Sequence, residues 1–167
     1  MSPKYSAAVV GLGFVGLTTV CCFADRGIPS LGVSSDSEKV EMIRGGKAPF
    51  YEPGLEEMLR RAMGSGLLEF STDIESAVFK SPIIFLTVGT PTMEDGNTDL
   101  SALEGVVKSI GAALKDLGEY RLVVVKSTVP PTTTTSLVKR LLEEASGKRC
   151  GEDFGLCMNP EFLREGA

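Results

Sequence analysis

Residues 7–17 read AAVVGLGFVGL. An apolar run meets three glycines, Gly11, Gly13 and Gly16, in the spacing G-x-G-x-x-G, and a helical pattern follows over 14–26. Strand, glycine turn and helix in that order form a backbone built to receive a pyrophosphate. Gly11 permits the tight turn, Gly13 lets the main chain approach the phosphates, and Gly16 lets helix and strand pack closely. The helix start adds free N–H groups and partial positive charge. The plain alternative is a glycine-bearing turn with no ligand.

Such a turn normally meets an Asp or Glu about 20 residues further on, bonded to the adenosine ribose hydroxyls. Here the second apolar run closes as LGVSSD, residues 31–36, so Ser34 and Ser35 stand at its end and the acid, Asp36, comes two positions after Ser34. A serine neither accepts both ribose hydroxyls well nor repels a 2′-phosphate as a carboxylate does. Asp36 is expected to substitute if the turn bends back, and its charge would disfavour a phosphate. Lys39 is the nearest cation. NAD is the expected cofactor, with NADP left open by Ser34.

Beyond this turn the chain alternates. Strand-like runs recur at 6–11, 29–34, 67–71, 82–88, 121–127 and 154–158, and helical patterns lie at 14–26, 37–45, 54–64, 73–79, 99–116 and 131–145. IIFLTV and LVVVKS are apolar on both faces, as strands buried in a parallel sheet are. Leu103, Val106, Val107, Ile110 and Leu114 make one helical stripe, with Asp99 or Ser101 as its cap. Pro130 and Pro131 suit the first turn of a helix. Right-handed βαβ crossovers then give an α/β fold of the Rossmann type: a doubly wound, six-stranded parallel sheet of order 3-2-1-4-5-6 with helices on both faces. One domain, 1–167, is expected.

Composition narrows the partners. With 167 residues, 43% hydrophobic and 23% charged, the chain reads as soluble and globular. A net charge of −5 argues against nucleic acid. No apolar run reaches the roughly 20 residues of a membrane span, and the N-terminal run is read as a strand and turn, not a signal peptide. Cys21, Cys22, Cys150 and Cys157 form no C-x-x-C pair, so they read as incidental thiols in a reducing cytoplasm, with no metal site. The chain has no histidine, which removes the commonest general base.

Three more stretches follow strands and so open on the rim where α/β sheets bind ligands. VGTPT, 88–92, places Gly89 and Thr90 toward a cofactor, or is a plain turn through Pro91. KSTVPP, 126–131, offers Ser127 and Thr128, either as site residues or as helix caps. NPEFLREG, 159–166, offers Glu161 and Glu165, either as site acids or as dipole partners of a helix start. The ending at Ala167 shows no charged tail and no closing helix, and is expected to be a cut.

Taken together, VVGLGFVGL, YEPGLEEML, IIFLTVGTPTMEDGNTDLS, VVVKSTVPP and EDFGLCMNPEFLREGA resemble, in this order, the UDP-glucose/GDP-mannose 6-dehydrogenases. The match spans the whole chain and corresponds to that family's N-terminal NAD-binding domain. The resemblance implies an oxidoreductase that takes C6 of a nucleotide-sugar from alcohol to carboxylate with two NAD+ per turnover, through a thioester on a cysteine, and so serves polysaccharide biosynthesis. It implies that Gly11, Leu12, Gly13, Phe14, Val15 and Gly16 cradle the dinucleotide, that Lys39 holds the adenosine end beside Ser34 and Asp36, and that Val88, Gly89, Thr90, Pro91 and Thr92 contact cofactor. Ser127, Thr128 and Val129 make a second cofactor turn. Thr128 orders a catalytic water and Glu161 acts as general acid/base. Glu161, Phe162, Leu163, Arg164 and Glu165 grip the nucleotide-sugar, with Glu165 also facing cofactor.

This sequence departs from the family pattern where an Asp usually stands and Ser34 is found. The family's nucleophilic cysteine, lysine and asparagine belong to a central helix and C-terminal domain outside this chain, so this part alone is expected to bind cofactor without completing the reaction. UDP-glucose is the preferred substrate and GDP-mannose the alternative, since ASGKRCGEDFG suits either. A non-catalytic dinucleotide-binding module is the rival from another class. A hydroxyacid-type dehydrogenase is disfavoured by NPEFLREG. Full-length relatives form homodimers through the central helix, which leaves this piece free to be a monomer.

Overall fold

The computed structural model describes residues 4–163. In chain order the elements are β1 (Ala7–Val10), α1 (Phe14–Asp25), β2 (Ser30–Val33), α2 (Ser37–Arg44), α3 (Leu55–Gly64), β3 (Leu68–Ser71), α4 (Ile74–Lys80), β4 (Ile83–Leu86), α5 (Ser101–Lys115), β5 (Arg121–Val125), a π-helical turn (Thr134–Val138) that runs into α6 (Lys139–Ser146), and β6 (Phe154–Met158). The six strands form one sheet of order β3-β2-β1-β4-β5-β6. Every pairing is parallel, with Val10 opposite both Val33 and Leu86.

The period of two along each strand sorts its side chains between two cores. Ala8, Val10, Ile84, Leu86, Val123 and Val125 face one core, closed by α4, α5 and α6 through residues such as Val78, Leu103, Ile110 and Leu142. Val9 and the half-buried Phe85 face the other, closed by α1, α2 and α3 through Leu17, Val20, Ile43 and Leu59. Helices therefore cover both faces, and the central strands are apolar on both sides, as buried parallel strands must be. The order in which successive strands are added reverses between β1 and β4, and the loops leaving their carboxyl ends diverge there. That divergence opens the crevice in which such sheets bind ligands.

Local chemistry sets the helix starts. Asp36 caps α2 by accepting from the Lys39 amide at 2.9 Å, and Asp73 caps α4 by accepting from the Ser76 amide at 2.9 Å. At α5, Asp99 accepts from the Ser101 amide at 2.8 Å from one residue outside the N-cap, which is Leu100. Among the described residues no helix is long and apolar enough to cross a membrane.

The helix anticipated from Pro131 begins later, at Thr134, and begins as a π turn. The cause is Thr132, whose φ of +70° makes it the one non-glycine residue with positive φ among those described. Its carbonyl still accepts from the Ser136 amide at 2.9 Å. A β-branched residue in the left-handed region crowds its Cβ against the backbone, at about 1–2 kcal/mol. Thr132→Gly is therefore expected to raise stability by about 0.5–1 kcal/mol, the relief less the glycine's added chain entropy. A urea unfolding curve checks it; an unchanged or lower midpoint would contradict the strain.

Candidate functional site

The glycine turn is held from β4. The Gly11 amide donates to the Val33 carbonyl at 2.8 Å, and the Thr87 amide donates to the Val10 carbonyl at 2.8 Å. The Thr87 hydroxyl reaches the Val10 and Gly11 carbonyls, at 3.0 and 2.8 Å. Gly11 has φ +106°, and a Cβ there would sit 2.7 Å from the Thr87 carbonyl carbon and the Val88 nitrogen. A Cβ on Gly16 would lie 1.8 Å from the Gly11 oxygen. A Cβ on Gly13 would meet nothing within 4 Å. Gly11 and Gly16 are thus required by the protein's own packing. Gly13 stands before open space at the start of α1, where first-turn N–H groups have no partner inside the helix. That open cradle, with a helix N-terminus behind it, fits a dinucleotide pyrophosphate.

The space is a cleft of about 450 Å³ over the ends of β1, β2, β4 and β5, within the range of small-molecule sites. It gathers most of the residues singled out above: Gly11, Leu12, Gly13, Phe14 and Val15 from the first turn, Ser34 and Lys39 from the β2 end, Val88, Gly89 and Thr90 from the β4 end, Ser127 and Thr128 from the β5 end, and Glu161. Phe14 is braced edge-on by Phe50, ring centroids 5.6 Å apart. Gly16 is buried behind the turn rather than facing the cleft.

The β2 end departs from expectation at Asp36. Its carboxylate is turned into the α2 cap, with Oδ2 3.8 Å from the Lys39 ammonium, and it does not line the cleft. The turn does not bend back because the cap bond to the Lys39 amide needs that carboxylate where it is. Ser34 is buried and lines the cleft, and its hydroxyl oxygen accepts from the Asp36 amide at 3.2 Å.

At the β4 end the cleft-lining turn stops at Thr90. The Pro91 carbonyl accepts from the Asp99 amide and Thr92 bridges Thr98, closing a short excursion over 92–98, none of whose residues lines the cleft. At the β5 end Ser127 is not a helix cap: its hydroxyl donates to the Val88 carbonyl at 2.7 Å and ties β5 to β4. The Thr90 hydroxyl donates to the Thr128 carbonyl at 2.5 Å, locking the two rim turns together. Val129 packs on the core beside the cleft. Phe162 is exposed, and Leu163 lines a separate apolar groove with Phe23 and Phe85. Arg164 and Glu165 lie outside the described residues.

Lys126 is the residue that sequence reasoning missed. It is the first position past β5, and its side chain lines the cleft only 15% exposed. Its ammonium donates to the Asn159 side-chain oxygen at 3.2 Å and lies 3.5 Å from Glu161 Oε2. Glu161 is itself 12% exposed; Oε1 accepts from the Leu163 amide, and the buried Oε2 has no hydrogen-bond partner among the described residues. A buried carboxylate oxygen with a cation but no donor is an open acceptor aimed at a ligand or water. The signal lay in KSTVPP, where the lysine opens the rim turn.

The four cysteines are free thiols. Burial pushes the Cys21 thiol up to about 12, with Cys22 and Asp25 adding to the shift, and burial also raises Cys22. Neither has the character of an activated nucleophile. Among the described residues no cluster of His, Cys, Asp or Glu is placed to hold a metal ion.

The sequence profile of the UDP-glucose/GDP-mannose dehydrogenase family, NAD binding domain, matches residues 5–167. GDP-mannose 6-dehydrogenase of Pseudomonas aeruginosa is 43% identical over 158 residues, covering 95% of this chain and 36% of that protein. The crystal structure of a ternary complex of GDP-mannose dehydrogenase from the same organism superposes with a TM-score of 0.94 at 42% identity, over 96% of this chain and 37% of that one. A UDP-glucose dehydrogenase from Pyrobaculum islandicum superposes with a TM-score of 0.91 at 43% identity, over 99% of this chain and 38% of that one. The chain therefore spans little more than a third of the length of these relatives.

The glycines separate packing from binding. Gly16→Ala is expected to lower stability by about 3 kcal/mol or more, since its Cβ would meet the Gly11 carbonyl and the Thr87 hydroxyl that is bonded to it. Gly13→Val is expected to leave the melting temperature within the error of a neutral substitution, about 0.5 kcal/mol, while weakening NAD+ at least about tenfold. Thermal melts and calorimetric titration of the two variants check this. A Gly13→Val protein that binds NAD+ normally would remove the pyrophosphate from that cradle.

Proposed function

Because this chain belongs to the UDP-glucose/GDP-mannose dehydrogenase family, we propose that it is the cofactor-holding part of an enzyme that oxidises C6 of a nucleotide-sugar, of the UDP-glucose or GDP-mannose type. One observation carries the reading: a single cleft contains the open glycine cradle, Thr128, and Glu161 with a buried carboxylate oxygen that has no hydrogen-bond partner among the described residues.

The division of labour follows from the positions. The N–H groups at the start of α1 hold the pyrophosphate, and Gly13 keeps the approach clear. Bound NAD+ supplies the hydride acceptor. Glu161 Oε2 accepts the proton of a water that the Thr128 hydroxyl positions, and Lys126, 3.5 Å from that oxygen, holds the carboxylate in place. Thr90 and Ser127 hold the β4 and β5 turns at a fixed spacing, so sugar and cofactor meet in near-attack geometry over the strand ends. The nucleophile and the groups that read the nucleotide base are assigned to the part of the protein beyond this domain.

Both relatives named above lie at nearly the same identity, one titled for GDP-mannose and one for UDP-glucose, and both sugars enter the test. The complete protein carrying this domain, supplied with each in turn, is expected to reduce two NAD+ per sugar with one of them. Glu161→Gln is expected to lower kcat by about 10²–10⁴-fold with NAD+ affinity little changed. No reduction with either sugar, or a Glu161→Gln enzyme of normal kcat, would contradict the reading.

A further inference from the structure

The adenosine end of the cleft lacks the group that normally excludes a 2′-phosphate. In sheets of this kind a carboxylate at the end of β2 binds the ribose hydroxyls and repels phosphate. Here Ser34, Ser35 and Lys39 line that end, and Glu161, at the β6 side, is the one acid among the residues lining the cleft. Asp36 has its Oδ1 committed to the Lys39 amide and its Oδ2 near the Lys39 ammonium, so its charge is spent on α2. The buried Ser34 oxygen accepts from the Asp36 amide, which leaves the hydroxyl proton to give. Two serines and a lysine lining that end of the cleft offer donors and no acid, and donors suit a dianionic phosphate better than a pair of ribose hydroxyls needing an acceptor.

We propose that this chain accepts a 2′-phosphorylated dinucleotide, NADP+, alongside NAD+, with Ser34 as the residue that sets the preference and Lys39 as the phosphate's countercharge. The inference rests on the dinucleotide reading of the cleft and adds the class of cofactor it admits. Lys39 turns from Asp36 toward the phosphate, and the α2 N-terminus next to it contributes partial positive charge.

The test is calorimetric titration of the 167-residue chain with NAD+ and with NADP+ at one fixed ionic strength, repeated on Ser34→Asp and Lys39→Met. NADP+ is expected to bind within about tenfold of NAD+. Ser34→Asp is expected to move the ratio toward NAD+ by more than about tenfold while NAD+ binding persists or tightens, which also shows the variant folded. Lys39→Met is expected to weaken NADP+ more than NAD+. NAD+ binding with NADP+ weaker by more than about tenfold, or a Ser34→Asp ratio equal to that of the native chain, would overturn the inference and leave the family reading intact. Binding of neither cofactor would overturn the dinucleotide reading itself, and the inference with it.

Discussion

The site hangs from the crossing of Gly11, Gly16 and Thr87. A single buried hydroxyl, that of Thr87, bonds two carbonyls at the end of β1, while Gly16 presses against the oxygen of Gly11 from the helix side. The Val10 carbonyl also has the Thr87 amide, but leaving the Gly11 carbonyl unpartnered would cost about 1–3 kcal/mol. More important is direction. The crossing turns the chain from strand to helix within three residues, so the α1 N-terminus points into the cleft rather than over the sheet edge. A looser turn would keep the fold and lose the anion cradle.

The strand order extends that local constraint to the whole rim. With β1 and β4 adjacent at the centre, the turn after β4 rises beside the glycine turn, and the turn after β5 rises next to it. Side chains then stitch the rim: Ser127 to Val88, Thr90 to the Thr128 carbonyl, Lys126 to Asn159 and Glu161. Residues over a hundred positions apart in sequence thereby face one space. The second core, under α1, α2 and α3, brings Phe50 against Phe14 and so supports the same turn from outside.

Alternating apolar runs and the glycine spacing made the sheet, its order and most of the cleft legible from sequence, because buried parallel strands and phosphate-binding turns tolerate few residue types. Boundaries were less legible. The run 82–88 ends as a strand at Leu86; the Thr87 amide still bonds the Val10 carbonyl, while its hydroxyl holds the glycine turn. The run 121–127 ends at Val125 because the amides of Lys126 and Ser127 both turn to the Leu86 carbonyl. Thr132 delays a helix that the prolines announced, through a backbone angle that composition does not encode. The role of Asp36 depended on a choice between two short-range partners, ribose or its own helix, and the nearer amide won. Lys126 gave no periodic signal; its importance comes from a partner 35 positions later, Glu161.

The most direct measurement is a two-dimensional NMR titration of the isotope-labelled chain with NAD+, following backbone amides. The largest shifts are expected at Gly13, Phe14 and Val15, followed by Gly89 and Thr90, with the amides of Gly96 and Gly151 still. Shifts centred instead on residues 48–60, or spread evenly over the chain, would contradict a pyrophosphate seated on the α1 N-terminus.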